Sequence, residues 1–179
     1  CALHITSMIV PTMFAAAEAG GAGGREALAA MIMGIEVAGR LGIAEMRHRR
    51  TDAFLSTTIV GGFGAVVTAA RLLGLSRETC VDAMGINYAQ AAGNRQALRD
   101  STLTKRMQPG LGTRSALWAV ELARRGITGP SRALEGESGL FAAYLDGRIP
   151  DARTLTEPKD WYEVENTSIK PYPSCGGSH

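Results

Sequence analysis

The sequence predicts a mainly α protein: a helical bundle over residues 1–150, followed by a crossover, 151–179, that begins an α+β unit. Three observations predict it. Apolar residues recur near a period of 3.6 in long runs, as in Leu28, Met31, Ile32, Ile35 and Leu41. Glycines and prolines punctuate those runs where helices end. The chain is 45% hydrophobic but only 6% aromatic and holds 22 glycines, a composition suited to closely packed helices with small contact residues.

In order, Ser7 can cap the first helix, Pro11 suits a first turn, and Met13 to Ala19 reads as helix closed by Gly20-Gly21. After the hinge GGAGGRE, Arg25 to Leu41 is strongly helical, with Gly34, Ala38 and Gly39 permitting close contact and Gly42 as the stop. A short turn follows at Ala44 to His48, and His48 among Arg47, Arg49 and Arg50 reads as a surface residue. Thr57 to Leu73 is the next helix. Gly61, Gly62 and Gly64 in its first half weaken it, so they imply tertiary packing or close approach of a ligand. Ser76 caps a helix over Arg77 to Ala92 that Gly93 ends. Thr113 to Arg125 is amphipathic, with Arg124-Arg125 suited to its C-terminus. ITGPSRALEG and GLFAAYLDG read as two short helices after loops. Beyond Pro150 three prolines accompany β-prone patches at Tyr162 to Val164 and Thr167 to Ile169, the expected first strands of the α+β unit.

The net charge of +2 does not suit a nucleic-acid binder. Three scattered cysteines, Cys1, Cys80 and Cys175, make no disulfide framework and fit a reducing, cytoplasmic setting. No stretch reads as apolar and charge-free for long enough to span a bilayer. The chain begins and ends inside ordered-looking segments, so it reads as a piece of a longer protein.

Chemistry concentrates in Asp100 to Gly112, DSTLTKRMQPGLG. Small hydroxyl residues, the cations Lys105 and Arg106, and the breakers Pro109-Gly110 crowd together there. A lysine on a short loop at a helix start is a ready site for a carboxylate or phosphate, although a solvated basic loop has the same composition. Other signals are weaker. Gly61-Gly62-Phe63-Gly64 has no preceding strand and reads as helix packing. Cys1 with His4, and Cys175 with His179, resemble half metal sites, but neither pair reads as a zinc finger, and no metal is expected. Ser178-His179 lacks a third partner for nucleophilic catalysis. His4, Lys105, Lys170 and Tyr172 remain as separated polar residues in apolar or tight settings. Alone, His4 also reads as a core histidine and Lys170 as an edge-strand charge.

Five segments, in order and correctly spaced, resemble the MmgE/PrpD family: LHITSMIVPTMFAAAEA, GGFGAVVTAARLLGLS, TLTKRMQPGLGTRSALWAVELARRGITGP, LEGESGLF and SIKPYPSCGGSH. The resemblance covers essentially the whole chain, and the TKRMQPG and KPYPSC blocks are its most specific parts. It implies the middle of a helical domain plus the start of an α+β lid, with an aspartate-bearing segment before His4 and most of the lid outside this chain. It also places His4 at the family's active-site histidine, and Lys105 and Lys170 at its two lysines, with Tyr172 and Cys175 beside the substrate. The chain departs from the family pattern at two positions: Leu55 stands where a second histidine is common, and Gln108 where HPG often follows the lysine. Cys175 lies where some members have histidine and others cysteine.

The resemblance implies a lyase or isomerase of small di- or tricarboxylates, homodimeric as the full-length protein, needing neither metal nor other cofactor. A proton would move at a carbon next to a carboxylate, with Lys105 and Lys170 near the developing charge and His4 as the base. The competing expectation is a non-catalytic helical module that keeps only oligomer contacts.

Overall fold

A computed structural model describes residues 3–48, 53–145, 152–170 and 172, with the side chains of 46–48 outside the description. Among the described residues there are eight α-helices, one 3-10 helix and no strand. The mainly α expectation holds, and the helices correct several boundaries.

Helix α1, Thr6–Gly20, starts a turn earlier than the sequence predicts and carries Pro11 inside it. Ile5 already has helical angles, and the amides of Ser7 and Met8 reach back to the carbonyls of His4 and Ile5. Proline cannot donate to the carbonyl of Ser7, but both residues are exposed, so water can take that carbonyl. Gly21, at φ 65°, closes the helix with the amides of Gly21 and Ala22 turned back onto Glu18 and Ala17.

Helix α2, Gly24–His48, runs straight through Gly42, so the expected stop and separate turn are absent. Leu41, Gly42, Ala44 and Glu45 are all buried, and that packing carries the helix past the glycine. Gly24–Glu45 is long and apolar enough to cross a membrane by length and composition alone, but it carries Glu36 and Arg40 and half of its most apolar stretch is buried inside the fold. Its apolarity belongs to helix packing.

Helix α3, Ser56–Leu72, is the axis of the bundle. Every residue in it except Arg71 is buried, as expected of a helix apolar all round. It packs on α1, α2, α4 (Arg77–Ala89) and α6 (Thr104–Arg124). Its glycines make those contacts: a Cβ on Gly61 would lie 2.9 Å from Met8 Sδ, and one on Gly62 would lie 2.8 Å from Asn87 Nδ2. On the α2 side Gly64 faces Gly34, and Thr68 Oγ1 donates to Ala30 O across this narrow seam at 3.3 Å as well as to Gly64 O of its own helix at 2.9 Å.

Ser76 caps α4 as predicted, its hydroxyl accepting from Thr79 N at 3.2 Å. That helix ends at Ala89 rather than Ala92. The following loop is tied to its neighbours: Tyr144 Oη donates to Ala91 O at 2.9 Å, and Phe54 and Asn94 form an isolated bridge. A single turn, α5 (Gln96–Arg99), leads to α6. Residues 127–130 are coil and 131–139 turns and bends, so ITGPSRALEG contributes no helix, and α7 is Leu140–Tyr144. Two apolar clusters fill the bundle: one around Met13, Val66, Ala83 and Val120, the other around Ile9, Ile35, Phe63 and Phe141.

The crossover holds α8, Ala152–Thr156, and the 3-10 helix η1, Glu163–Asn166. The strand expected at Tyr162 to Val164 is absent, and Thr167 to Ile169 joins no ladder. Side chains claim the backbone groups a strand would need. Tyr162 N donates to Glu165 Oε1 at 2.9 Å, and Glu163 N donates to Glu36 Oε2 at 2.6 Å. Arg40 holds the same segment on α2 by donating to the carbonyls of Leu155 and Glu157 at 2.9 and 2.8 Å.

Candidate active site

The TKR stretch is not a loop. Thr104 to Gly112 forms the first turns of α6, with Pro109 inside the helix, so Pro109-Gly110 neither stops nor restarts the chain. The real break comes earlier, where Ser101 takes a left-handed φ of 53° and the Thr102 amide closes onto Ala97 O. Lys105 therefore stands in the first turn of α6, its amide reaching Thr102 O at 3.3 Å.

Three helix beginnings come together here. Met8 of α1 wedges between Gly61 of α3 and Gly112 of α6, where a Cβ on either glycine would lie under 3 Å from it. Thr113 Oγ1 donates to Met8 O at 3.4 Å and fixes the register of α1 against α6. His4, just before α1, donates its amide to Thr57 Oγ1 in the first turn of α3 at 3.2 Å.

His4 also reports on its surroundings. The imidazole reaches solvent, yet its pKa lies below the ordinary 6.5: partial burial lowers it most, then the charge of Lys170, then that of Lys105. Lys105 and Lys170 are thus both close enough to act on His4 although distant from it in sequence. The shift favours the neutral imidazole, the form that accepts a proton. Lys170 and Tyr172 are exposed, whereas Lys105 is half-buried. Cys175 lies outside the described residues, as do Cys1 and His179 of the two candidate metal pairs. Among the described residues no group of three or more His, Cys, Asp or Glu is placed to hold a metal ion.

The two described departures from the family pattern meet at one loop. Leu55 is buried at the start of α3 and donates its amide to Gly93 O at 3.2 Å. Gln108 is buried on α6 and donates Nε2 to Asn94 O at 2.8 Å. Between these elements lies a cavity of about 450 Å³, walled by Thr58, Asn87, Gln90, Thr104, Gln108 and Arg114 among others. The sequence reading missed Thr57, Asn87 and Asn94. A buried asparagine within the apolar pattern of α4 was the one available signal.

The fold defines the class: a helical domain in which His4 stands just before α1, Lys105 in the first turn of α6, and Lys170 on the segment after η1. The chain matches the MmgE/PrpD N-terminal domain over residues 2–153 and belongs to that family. It is 29% identical over 192 residues to the cis-aconitate decarboxylase-like protein oryM of Aspergillus oryzae, covering 99% of this chain and 39% of that protein. It is 27% identical to the cis-aconitate decarboxylase of Homo sapiens over 184 residues, 99% of this chain and 38% of that enzyme. The Aspergillus terreus cis-aconitate decarboxylase is likewise 27% identical, with 99% and 38% covered. The chain spans about two fifths of the length of these relatives.

Proposed function

We propose that the intact protein is a lyase or isomerase of small di- or tricarboxylates that moves a proton at a carbon next to a carboxylate. The lowered pKa of His4, with Lys170 and Lys105 among its causes, carries the reading. A base for this step must be unprotonated and face the positive charge that steadies the carbanion it creates. In this reading neutral His4 takes the proton, while Lys105 and Lys170 hold carboxylates of the substrate and offset the developing charge. Two cations at one site repel each other and so favour a dianionic ligand over a monoanion. Tyr172 and Cys175, on the segment that carries Lys170, contact the substrate. Because His4 and Lys170 are exposed, water must be excluded by chain beyond the described residues, the role this reading gives to a lid after residue 150. A homodimer and a cytoplasmic setting belong to the same reading.

Leu55 favours a second reading, a non-catalytic helical module, because a buried leucine has no proton to exchange where a second histidine is common. Titration calorimetry of the intact protein with citrate-like acids separates the two. Lys105→Ala removes a charge-assisted hydrogen bond of roughly 1.5–3 kcal/mol. Affinity should then fall about tenfold or more with the fold unchanged. Equal affinities for wild type and variant would overturn the site.

A further inference from the structure

The crossover that carries Lys170 is docked on α2 by two charged residues outside the candidate site. Glu36 and Arg40 stand one turn apart, with side chains only 15% and 13% exposed. Arg40 Nε donates to Glu36 Oε1 at 2.5 Å, while Arg40 Nη1 donates to the carbonyls of Leu155 and Glu157 at 2.9 and 2.8 Å. The other carboxylate oxygen, Glu36 Oε2, accepts from Glu163 N at 2.6 Å. The pair thus takes up two carbonyls at the end of α8 and the first amide of η1, groups that helix ends leave without internal partners. Gly39 makes room for the contact, since a Cβ there would lie 2.8 Å from Glu163 Cβ. Desolvation offsets much of the attraction in a pair this dry, which leaves fixing one arrangement as its best-attested use. The arrangement it fixes reaches His4. Leu155 and Val164 of the crossover pack on the same apolar cluster as Leu3 and Ile5, the neighbours of His4 in the chain. Beyond η1, Thr167 turns back onto that helix, its amide donating to Val164 O at 3.1 Å and its hydroxyl to Glu163 O at 3.4 Å, and the chain then leads to Lys170.

We propose that Glu36 and Arg40 are positioning residues: by docking α8 and η1 on α2 they set where Lys170 stands relative to His4. The role rests on the polycarboxylate reading, in which these two residues act on one substrate, and it anchors the lysine to the helix bundle. Lys170 is exposed, and between exposed charges the interaction is screened over about 8 Å at physiological ionic strength. A small displacement of the crossover therefore changes the field at His4, whereas Lys105, held in α6, does not move with it.

The test is the titration midpoint of His4 in the intact protein, read by nuclear magnetic resonance with isotope-labelled histidine and assigned by its loss in His4→Gln. Two perturbations displace the crossover by different means. Glu36→Met with Arg40→Met removes the clamp and leaves neither charge of the pair buried without the other. Gly39→Ala keeps every charge and wedges η1 away from α2. Each should raise the His4 midpoint toward its value in Lys170→Ala, and neither should raise it further once Lys170→Ala is present. Loss of burial at His4 would also raise the midpoint, but by the same amount with and without Lys170, so the double-mutant comparison isolates the lysine. Far-UV circular dichroism shows which variants are folded, and Gly39→Ala decides the question if the double substitution fails to fold. Midpoints unchanged in the folded variants, or shifted equally with and without Lys170→Ala, overturn the positioning role and leave the polycarboxylate reading standing. A midpoint that Lys170→Ala itself does not move overturns both.

Discussion

The seam between α2 and α3 allows a quantitative test in which one substitution should act with opposite sign at two glycines. Alanine replacing glycine inside a helix gains about 1 kcal/mol from backbone propensity. At Gly64 this gain meets an obstacle. The new Cβ would fall on the Gly34 carbonyl oxygen, 2.8 Å from Ala38 Cβ and 3.1 Å from Ile9 Cδ1. Two of these three atoms are backbone or the root of a side chain, so rotamer changes cannot clear them and α2 must move. Overpacking of this kind costs about 1–3 kcal/mol and occasionally more. Only Ile9 Cδ1 can yield, which puts Gly64 at the upper end, for a net loss of about 2 kcal/mol after the propensity gain. Gly110, in α6, is exposed and has nothing within 4 Å of its would-be Cβ, so Gly110→Ala should stabilise by up to about 1 kcal/mol. Denaturant unfolding followed by far-UV circular dichroism measures both. A Gly64→Ala protein as stable as wild type would refute the claim that small residues set the helix spacing. A destabilised Gly110→Ala protein would refute the helical assignment around Pro109.

Three further predictions concern pH, capping and surface. The His4 resonance should titrate with a midpoint below 6.5, and Lys170→Ala and Lys105→Ala should each raise it. The folded value is depressed, so the stability linked to His4 is present above pH 6.5 and lost as pH falls through the folded midpoint. A midpoint at or above 6.5 in nuclear magnetic resonance would remove the electrostatic basis of the site. Ser76→Ala removes the cap on Thr79 N and should destabilise α4 by about 1 kcal/mol, with Ser76→Gly recovering most of it. The 179-residue chain alone should self-associate, because Leu103 at 82% exposure, Phe14 at 59%, Met107 at 58% and Trp118 at 56% leave large apolar groups in water. Sedimentation as a single monomeric species across micromolar concentrations would count against that expectation.

The sequence by itself determined the helical class, the capping of α4 by Ser76 and the glycine contacts of α3, because periodicity, caps and small residues act over a few neighbouring positions. The TKRMQPG and KPYPSC blocks also carried the family resemblance directly in their residues. Only the tertiary structure decided where helices end when local signals conflict with packing. Gly42 signals a stop, but burial of its neighbours in α2 overrides it. Pro11 signals a first turn and Pro109 a break, yet both stay inside helices, since a lost backbone bond is tolerable where the rest of the helix is packed. The β-prone run at Tyr162 becomes a 3-10 turn because Glu36 and Glu165, far and near in sequence, take its amides. The electrostatic coupling of His4 to Lys105 and Lys170, and the burial of Asn87 and Gln108 beside one cavity, were likewise hidden. Both depend on how separate elements pack against one another, and no spacing along the chain encodes those distances.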